Sequence, residues 1–337
     1  MNDPVIVEVT RGGIVESVHR GAVAVVDAAD GLVLGLGEID RPVFPRSAVK
    51  ALQALPLMES GAAERFGLTA EELALACSSH SGEVEHAATA ERMLVKAGQT
   101  ARCLECGAHW PMGEKAARAL ARAGGEPTAL HNNCSGKHAG FVCASVAMGV
   151  DPQGYIKPEH PLMRAVTDAL ETVTGASLKD APRGIDGCSI PTYALPLKAL
   201  ARGFARFGTG TGFAPARAAA AEKLRAAVAA APFFVAGTGR FDTRAMEGLG
   251  ARAFIKTGAE GVYCASLPEV GLGIALKIDD GATRASETVM ADLLRRFLPL
   301  GEAETTGLAA ARAEVLRNWN GYEVGTVRAA LTSISAA

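Results

Sequence analysis

Short β-branched and alternating apolar stretches crowd the two ends of this 337-residue chain, while its middle repeats apolar residues at helical spacing. Val5 to Val9, Gly13 to Val18, Ala22 to Val26 and Leu32 to Leu36 read as strands. Gly12, Asp27 and Asp30-Gly31 separate them with the turn chemistry of an antiparallel meander. Strand patterns return at Ala251 to Lys256, Gly261 to Ser266 and Leu272 to Ile278. Between the ends, Glu83 to Ala97, Gly113 to Ala123, Gly136 to Met148, His160 to Val173 and Pro215 to Ala231 carry helical periodicity, and a further helix is expected near Ala285 to Leu298. Thr69-Ala70-Glu71-Glu72 has the form of a capping box with Thr69 as N-cap. This pattern predicts an α+β protein in which the N- and C-terminal segments build one sheet. We expect a single domain over 1–337, with a sheet part at about 1–45 and 232–337 and a helical part at about 46–231 that walls a cleft. Phe207-Gly208-Thr209-Gly210-Thr211-Gly212 is expected to be a surface loop, not a domain boundary.

Composition narrows the function classes. Hydrophobic residues at 49% and charged residues at 21% indicate a soluble globular protein. The formal net charge is −2 with Lys and Arg scattered, which argues against nucleic-acid and membrane partners and for a small uncharged or zwitterionic one. The chain start lacks a signal-peptide pattern, and no apolar run reaches membrane-spanning length. Seven cysteines, an odd number spread over a long chain, suit thiols or metal ligands in a reducing cytoplasm.

The stretch Phe44 to Leu55 holds the first chemical motif. Pro45 fits the first turn of a helix opening near Arg46, and Val49, Leu52 and Leu55 would form its core stripe. Ser47 and Lys50, three residues apart, would then share a face. An amine kept neutral by burial or by another cation can take a serine proton, so Ser47 is a candidate acyl acceptor. The bland alternative is an ordinary helix start with a solvated lysine. Downstream lie a second serine cluster, Cys77-Ser78-Ser79-His80-Ser81-Gly82-Glu83, and then Lys256-Thr257-Gly258 at a strand end. This order resembles the three elements of serine beta-lactamases and penicillin-binding proteins.

A second constellation is built on sulfur. His131-Asn132-Asn133-Cys134-Ser135-Gly136-Lys137-His138-Ala139-Gly140 is rich in turn formers and runs into a helical pattern, which places its polar groups at a helix N-terminus. That position and Lys137 both favour a Cys134 thiolate. Gly184-Ile185-Asp186-Gly187-Cys188-Ser189-Ile190-Pro191-Thr192 is a second cysteine loop. Two thiolates, one nitrogen or oxygen ligand and an open position would suit zinc, whereas the alternative makes both cysteines small core residues. Cys103-x-x-Cys106 lacks a partner pair and carries no function in this reading. His80, His109 and His138 sit in polar loops, where structural hydrogen bonding is the commoner role.

Arg11-Gly12-Gly13-Ile14-Val15-Glu16, Arg46-Ser47-Ala48-Val49-Lys50, Ser79-His80-Ser81, Gly107-Ala108-His109, Asn133-Cys134-Ser135-Gly136-Lys137-His138, Asp186-Gly187-Cys188 with Pro191-Thr192, and Arg317-Asn318-Trp319 with Gly321 together resemble the zinc-binding, rhizobial-type (class 3) L-asparaginase family. The resemblance implies hydrolysis of L-asparagine to L-aspartate and ammonia by a homodimer with a fold similar to serine beta-lactamases. It implies two Ser-Lys tandems, Ser47 with Lys50 and Ser79 with Lys256. It also implies zinc on Cys134, Lys137 and Cys188, with water in the remaining position, and substrate contacts from Asp186, Arg46 and His80. Because an amine ligand must first lose its proton, zinc affinity should fall at low pH. One departure stands out: Asp242 occupies a position where some relatives carry a cysteine. The rival readings are another cytoplasmic serine amidase or acyltransferase of the same fold, and a non-catalytic zinc-binding protein.

Overall fold

Two glycines in left-handed conformation, Gly12 at φ 56° and Gly13 at φ 87°, join β1 (Val5–Arg11) to β2 (Ile14–Asp27) in a two-residue hairpin turn. This is the start of a computed structural model that describes residues 3–311 and 315–331. The two strands expected at Gly13 to Val18 and Ala22 to Val26 are one 14-residue strand. Its first half pairs with β1, from Arg11↔Ile14 to Val5↔Arg20, and its second half with β10 (Leu272–Ile278). Gly21 stands at the handover. A side chain there would place its Cβ 2.3 Å from the Lys277 carbonyl oxygen, so the glycine is what lets the second partner approach.

β3 (Leu32–Leu36) also pairs with β2, and β4 (Pro42–Val43) leaves the sheet to pair with β7 (Leu195–Pro196). β5 (Arg183–Ile185) and β6 (Pro191–Tyr193) form a separate hairpin that projects residues 186–190 from its tip. β8 (Phe254–Thr257), β9 (Val262–Leu267), β11 (Val315–Arg317) and β12 (Glu323–Ala329) complete the main sheet in the order β11-β12-β1-β2-β10-β9-β8. Every ladder is antiparallel. The two ends of the chain therefore build one sheet, as an α+β pattern requires. The pair β11 and β12 is an addition to the expected strands, since short half-exposed strands carry little apolar alternation.

Consecutive buried residues on β9 and β10 show that both sheet faces are covered. On one face lies the helix Leu197–Thr209, which approaches so closely that a Cβ on Gly273 would sit 2.0 Å from Ala201 O. Phe204, Phe207 and Phe254 pack their rings at centroid distances of 5.5–6.3 Å across this contact. Phe207, Gly208 and Thr209 thus belong to this helix, which stops at Gly210 with φ +74°, so the expected loop shortens to its last three residues.

The helical middle matches expectation closely, with Val84–Lys96, Glu114–Arg122, Ser135–Ala147, Pro161–Thr174 and Pro215–Ala230. Ser135–Ala147 is buried on all sides from Ser135 to Ser145, which makes it the axis around which Ala70–Ala76 and Val84–Lys96 pack. The capping box forms: Thr69 N–H donates to Glu72 Oε2 at 2.8 Å, and Glu72 N–H to Thr69 Oγ1 at 3.4 Å. Among the described residues no helix is long and apolar enough to cross a membrane.

Candidate active site

The helix expected to open near Arg46 begins instead as a 3₁₀ turn, Arg46–Val49, followed by a short α-helix at Lys50–Gln53. Arg46 takes φ +51°, a conformation that a residue with a Cβ adopts only when its surroundings hold it. The hold is visible: Arg46 Nε donates to Asp186 Oδ1 at 2.6 Å, from the turn to the tip of the β5–β6 hairpin. Asp186 Oδ1 also accepts from Gly187 N–H at 2.8 Å. Burial opposes its charge, but Lys137 and Arg46 outweigh that and hold its carboxyl below the usual range. Ser47 follows directly, half-buried, and its hydroxyl makes no protein hydrogen bond among the described residues.

Lys50 is fully buried and has three close acceptors. Its Nζ lies 2.6 Å from Ser78 O, 2.9 Å from Ser79 Oγ and 3.1 Å from Cys134 Sγ. The Ser79 loop is itself clamped, Ser79 N–H donating to Val235 O and Ser81 N–H to Ala236 O, a pairing with no signature in the sequence. Lys256, at the end of β8, donates to Thr257 O at 2.7 Å. The amine hydrogen-bonded to Ser79 is thus Lys50, because the tight turn aims Lys50 inward at the Ser78-Ser79 peptide, while Lys256, expected beside Ser79, hydrogen-bonds back to its own strand. Burial pushes the Lys256 amine down to about 7, with Asp242 opposing and Lys50 and Arg240 reinforcing. The strand end still abuts the serine turn, since a Cβ on Gly258 would lie 2.6 Å from Pro45 O and 3.2 Å from Ala48 N.

His80, expected as a substrate contact, is buried with both ring nitrogens engaged. Its Nδ1 accepts from Gly82 N–H at 3.1 Å, so the ring proton sits on Nε2 and faces Ser135 Oγ at 2.9 Å. The ring stacks on His86, centroids 4.8 Å apart, and ties the Ser79 loop to the helix that starts at Ser135. His138 is likewise internal, at 2.6 Å from the Tyr155 hydroxyl.

Cys134 and Cys188 adjoin, and Lys137 Nζ lies 3.1 Å from Cys188 Sγ. All three are buried. The hydrogen bond from Cys188 holds the Cys134 thiol well below its usual range, with Lys50 and Lys137 adding to the effect against burial, so the pair favours a thiolate on Cys134. Burial disfavours charge on Lys137, yet the two sulfurs outweigh it and raise its pKa. Two sulfurs and an amine converging in a dry site have the donor chemistry of a borderline-soft cation such as zinc. Among the described residues no group of three His, Cys, Asp or Glu converges anywhere, so Lys137 would have to be the third ligand. Cys103 and Cys106 are free thiols, and Cys106 borders this cluster, its thiol pushed up to about 12 by burial and then by Cys134.

Several solved structures are similar over most of their length. A Bacteroides dorei protein described as a candidate beta-lactamase has 14% identity and a TM-score of 0.41, covering 82% of this chain and 92% of its own. A Mycobacterium bovis beta-lactamase has 14% identity and a TM-score of 0.33, covering 82% and 94%. Unliganded simvastatin synthase from Aspergillus terreus has 12% identity and a TM-score of 0.38, covering 87% and 94%. At such low values the similarity extends to neither activity nor substrate. Comparison with curated proteins gave no significant match. A match to the L-asparaginase II family, by contrast, spans residues 7–329 and so takes in the serine turn, the Ser79 loop, both cysteine loops and the end of β8; the chain belongs to that family.

Proposed function

We propose that this amide hydrolase acts on L-asparagine, releasing L-aspartate and ammonia through a serine ester. The observation that carries the reading is the buried Lys50 amine, 2.9 Å from Ser79 Oγ and one turn from Ser47. Ser47 Oγ attacks the side-chain amide carbon and gives its proton to Lys50. Lys50 passes that proton to the leaving nitrogen, ammonia departs, and an ester on Ser47 remains. Water then attacks the ester with Lys50 again as base, which frees L-aspartate and restores Ser47. Lys256 stands beside this base, and its own amine is pushed down to about 7 by burial, with Lys50 adding to the effect. Ser79 holds Lys50 in place, and the Arg46–Asp186 pair holds the strained turn that presents Ser47, which leaves Arg46 and Asp186 at the edge of the site as candidate substrate contacts.

Cys134, Lys137 and Cys188 would hold zinc, which when bound supplies a fixed positive charge beside the substrate. A homodimer in the cytoplasm is the assembly and location we propose with it; sedimentation velocity tests the former.

The direct contact between Lys50 and Ser79 favours a second reading, in which Ser79 is the acyl acceptor. Ser47→Ala and Ser79→Ala separate the two. On the first reading Ser47→Ala lowers kcat by at least about 10³-fold, and Ser79→Ala leaves a trappable ester on Ser47. Mass spectrometry after treatment with a reactive asparagine analogue identifies the acylated peptide. Near-normal ammonia release by Ser47→Ala would remove it as nucleophile, and no ammonia release by the wild-type chain would end the asparaginase reading.

A further inference from the structure

Behind Lys256 lies a buried polar group with no part in the steps above. Asp242, in the helix Phe241–Leu249, is fully buried. A carboxylate is removed from water only where other groups repay the loss of hydration. Its Oδ1 accepts from Thr257 N–H at 3.0 Å, and the carbonyl of the same Thr257 accepts from Lys256 Nζ at 2.7 Å. One residue at the end of β8 is thus held at its N–H by Asp242 and at its C=O by Lys256. Directly across the ladder from Thr257 stands Tyr263. The Tyr263 hydroxyl lies near Asp242, and both it and Asp242 Oδ2 are buried without a hydrogen-bond partner among the described residues.

We propose that Asp242 is the positioning residue for Lys256: its carboxylate fixes the strand end that carries the amine and is the amine's counter-charge. The other groups that bear on Lys256 are Lys50 and Arg240, which repel it, Cys134, and the neutral thiols of Cys77 and Cys264, which burial keeps protonated. Tyr263 and Glu287 also bear on Asp242, and Glu287 is pushed up to about 7 by burial and by Asp242. Asp242 is the carboxylate among these groups that faces the amine. A lysine at this depth without it would lose both its anchor and its charge balance.

This inference deepens the amide-hydrolase reading, and its test has an arm that does not depend on that reading. Asp242→Asn keeps an oxygen to accept from Thr257 N–H and removes the charge. Asp242→Cys removes the charge with a smaller side chain and serves if the first variant misfolds. The first arm follows lysine 13Cε shifts by NMR across pH, the Lys256 signal being the one missing in Lys256→Arg. Its midpoint should fall by about one pH unit in either Asp242 variant, and by much less in Tyr263→Phe, which keeps the carboxylate. The second arm is kinetic: kcat for ammonia release should fall about tenfold or more with KM little changed, and the limb of the kcat profile that Lys256 governs should move to lower pH. An unshifted midpoint in both Asp242 variants, or an equal shift in Tyr263→Phe, overturns the proposal and leaves Asp242 a packing residue. A shifted midpoint in a chain without amidase activity would support the placement and refute the proposed function instead.

Discussion

The closeness of β8 to the serine turn can be tested with a single methyl group. In the native chain Gly258 has no side chain, and an added Cβ would lie 2.6 Å from Pro45 O, 3.2 Å from Ala48 N and 3.2 Å from Ala48 Cβ. The first of these is about 0.5–1 Å inside ordinary van der Waals contact. None of the three atoms belongs to a side chain that can rotate away, so Gly258→Ala must push the strand end and the turn apart by about that amount. A shift of about 1 Å in a reacting group can lower the rate roughly 100-fold, and overpacking of this kind costs about 1–3 kcal/mol. The expected variant is folded, with Tm lowered by about 2–10 °C and kcat for ammonia release lowered by about 10- to 100-fold. Gly248→Ala is the control: Gly248 is exposed on the helix Phe241–Leu249 with no heavy atom within 4 Å of its would-be Cβ, so it should leave the rate alone and raise stability by up to about 1 kcal/mol. Wild-type kcat and Tm in Gly258→Ala would refute the contact, and with it the claim that Lys256 and Ser47 belong to one site.

Three further outcomes follow from the same structure. Thr69→Ala removes half of a formed capping box and should cost about 1 kcal/mol in thermal unfolding without changing kinetics; an unchanged Tm would show that the cap contributes nothing. Glu287 is raised from 4.5 to about 7, so the folded chain binds the extra proton between those values and stability falls as pH rises through that window; Glu287→Gln should flatten the dependence and be more stable at pH 8 by on the order of 1–3 kcal/mol, and a parallel pH profile would contradict this. Cys188→Ser should lower the zinc retained after dialysis, measured by elemental analysis, and the wild-type chain should itself retain less at low pH as Lys137 keeps its proton; equal zinc in both chains would remove the site.

The sheet was legible because strands that fill a buried interior leave β-branched runs between turn formers, as at Leu272–Ile278, whose bounds match the expectation. That Ile14–Asp27 is one strand was not legible, since the close approach of a second strand at Gly21 leaves no local signature. In the site, spacing alone placed Ser47 and Lys50 on one face, and the 3₁₀ turn keeps that relation. What spacing could not show is which hydroxyl the amine reaches, because that depends on a loop 28 residues away whose carbonyl at Ser78 and hydroxyl at Ser79 both point into the cavity left for Lys50. The surroundings of His80 were illegible for a similar reason, since a histidine beside reactive residues reads alike whatever its ring meets, here a stacked neighbour and a buried serine.

The distribution of charge explains why these distant segments need one another. Lys50, Lys137 and Lys256 are each no more than 1% exposed, and amines so deep are tolerated only when each finds an anion or sheds its proton. Lys50 lies against Cys134, Lys137 against Cys188 with Asp186 nearby, and Lys256 near Asp242. Each of these partners comes from a segment other than that of its amine, so no segment can adopt its place alone, and Cys188 meets Lys137 as the protonated member of the Cys134–Cys188 pair. A positive charge beside the base, on Lys137 or on the zinc proposed there, leaves the interior poised for negative charge. An acyl-transfer transition state develops that charge on oxygen, and a cation fixed in a dry site stabilises it far more than water would. The requirement that folds these segments together is therefore the one that amide hydrolysis would exploit.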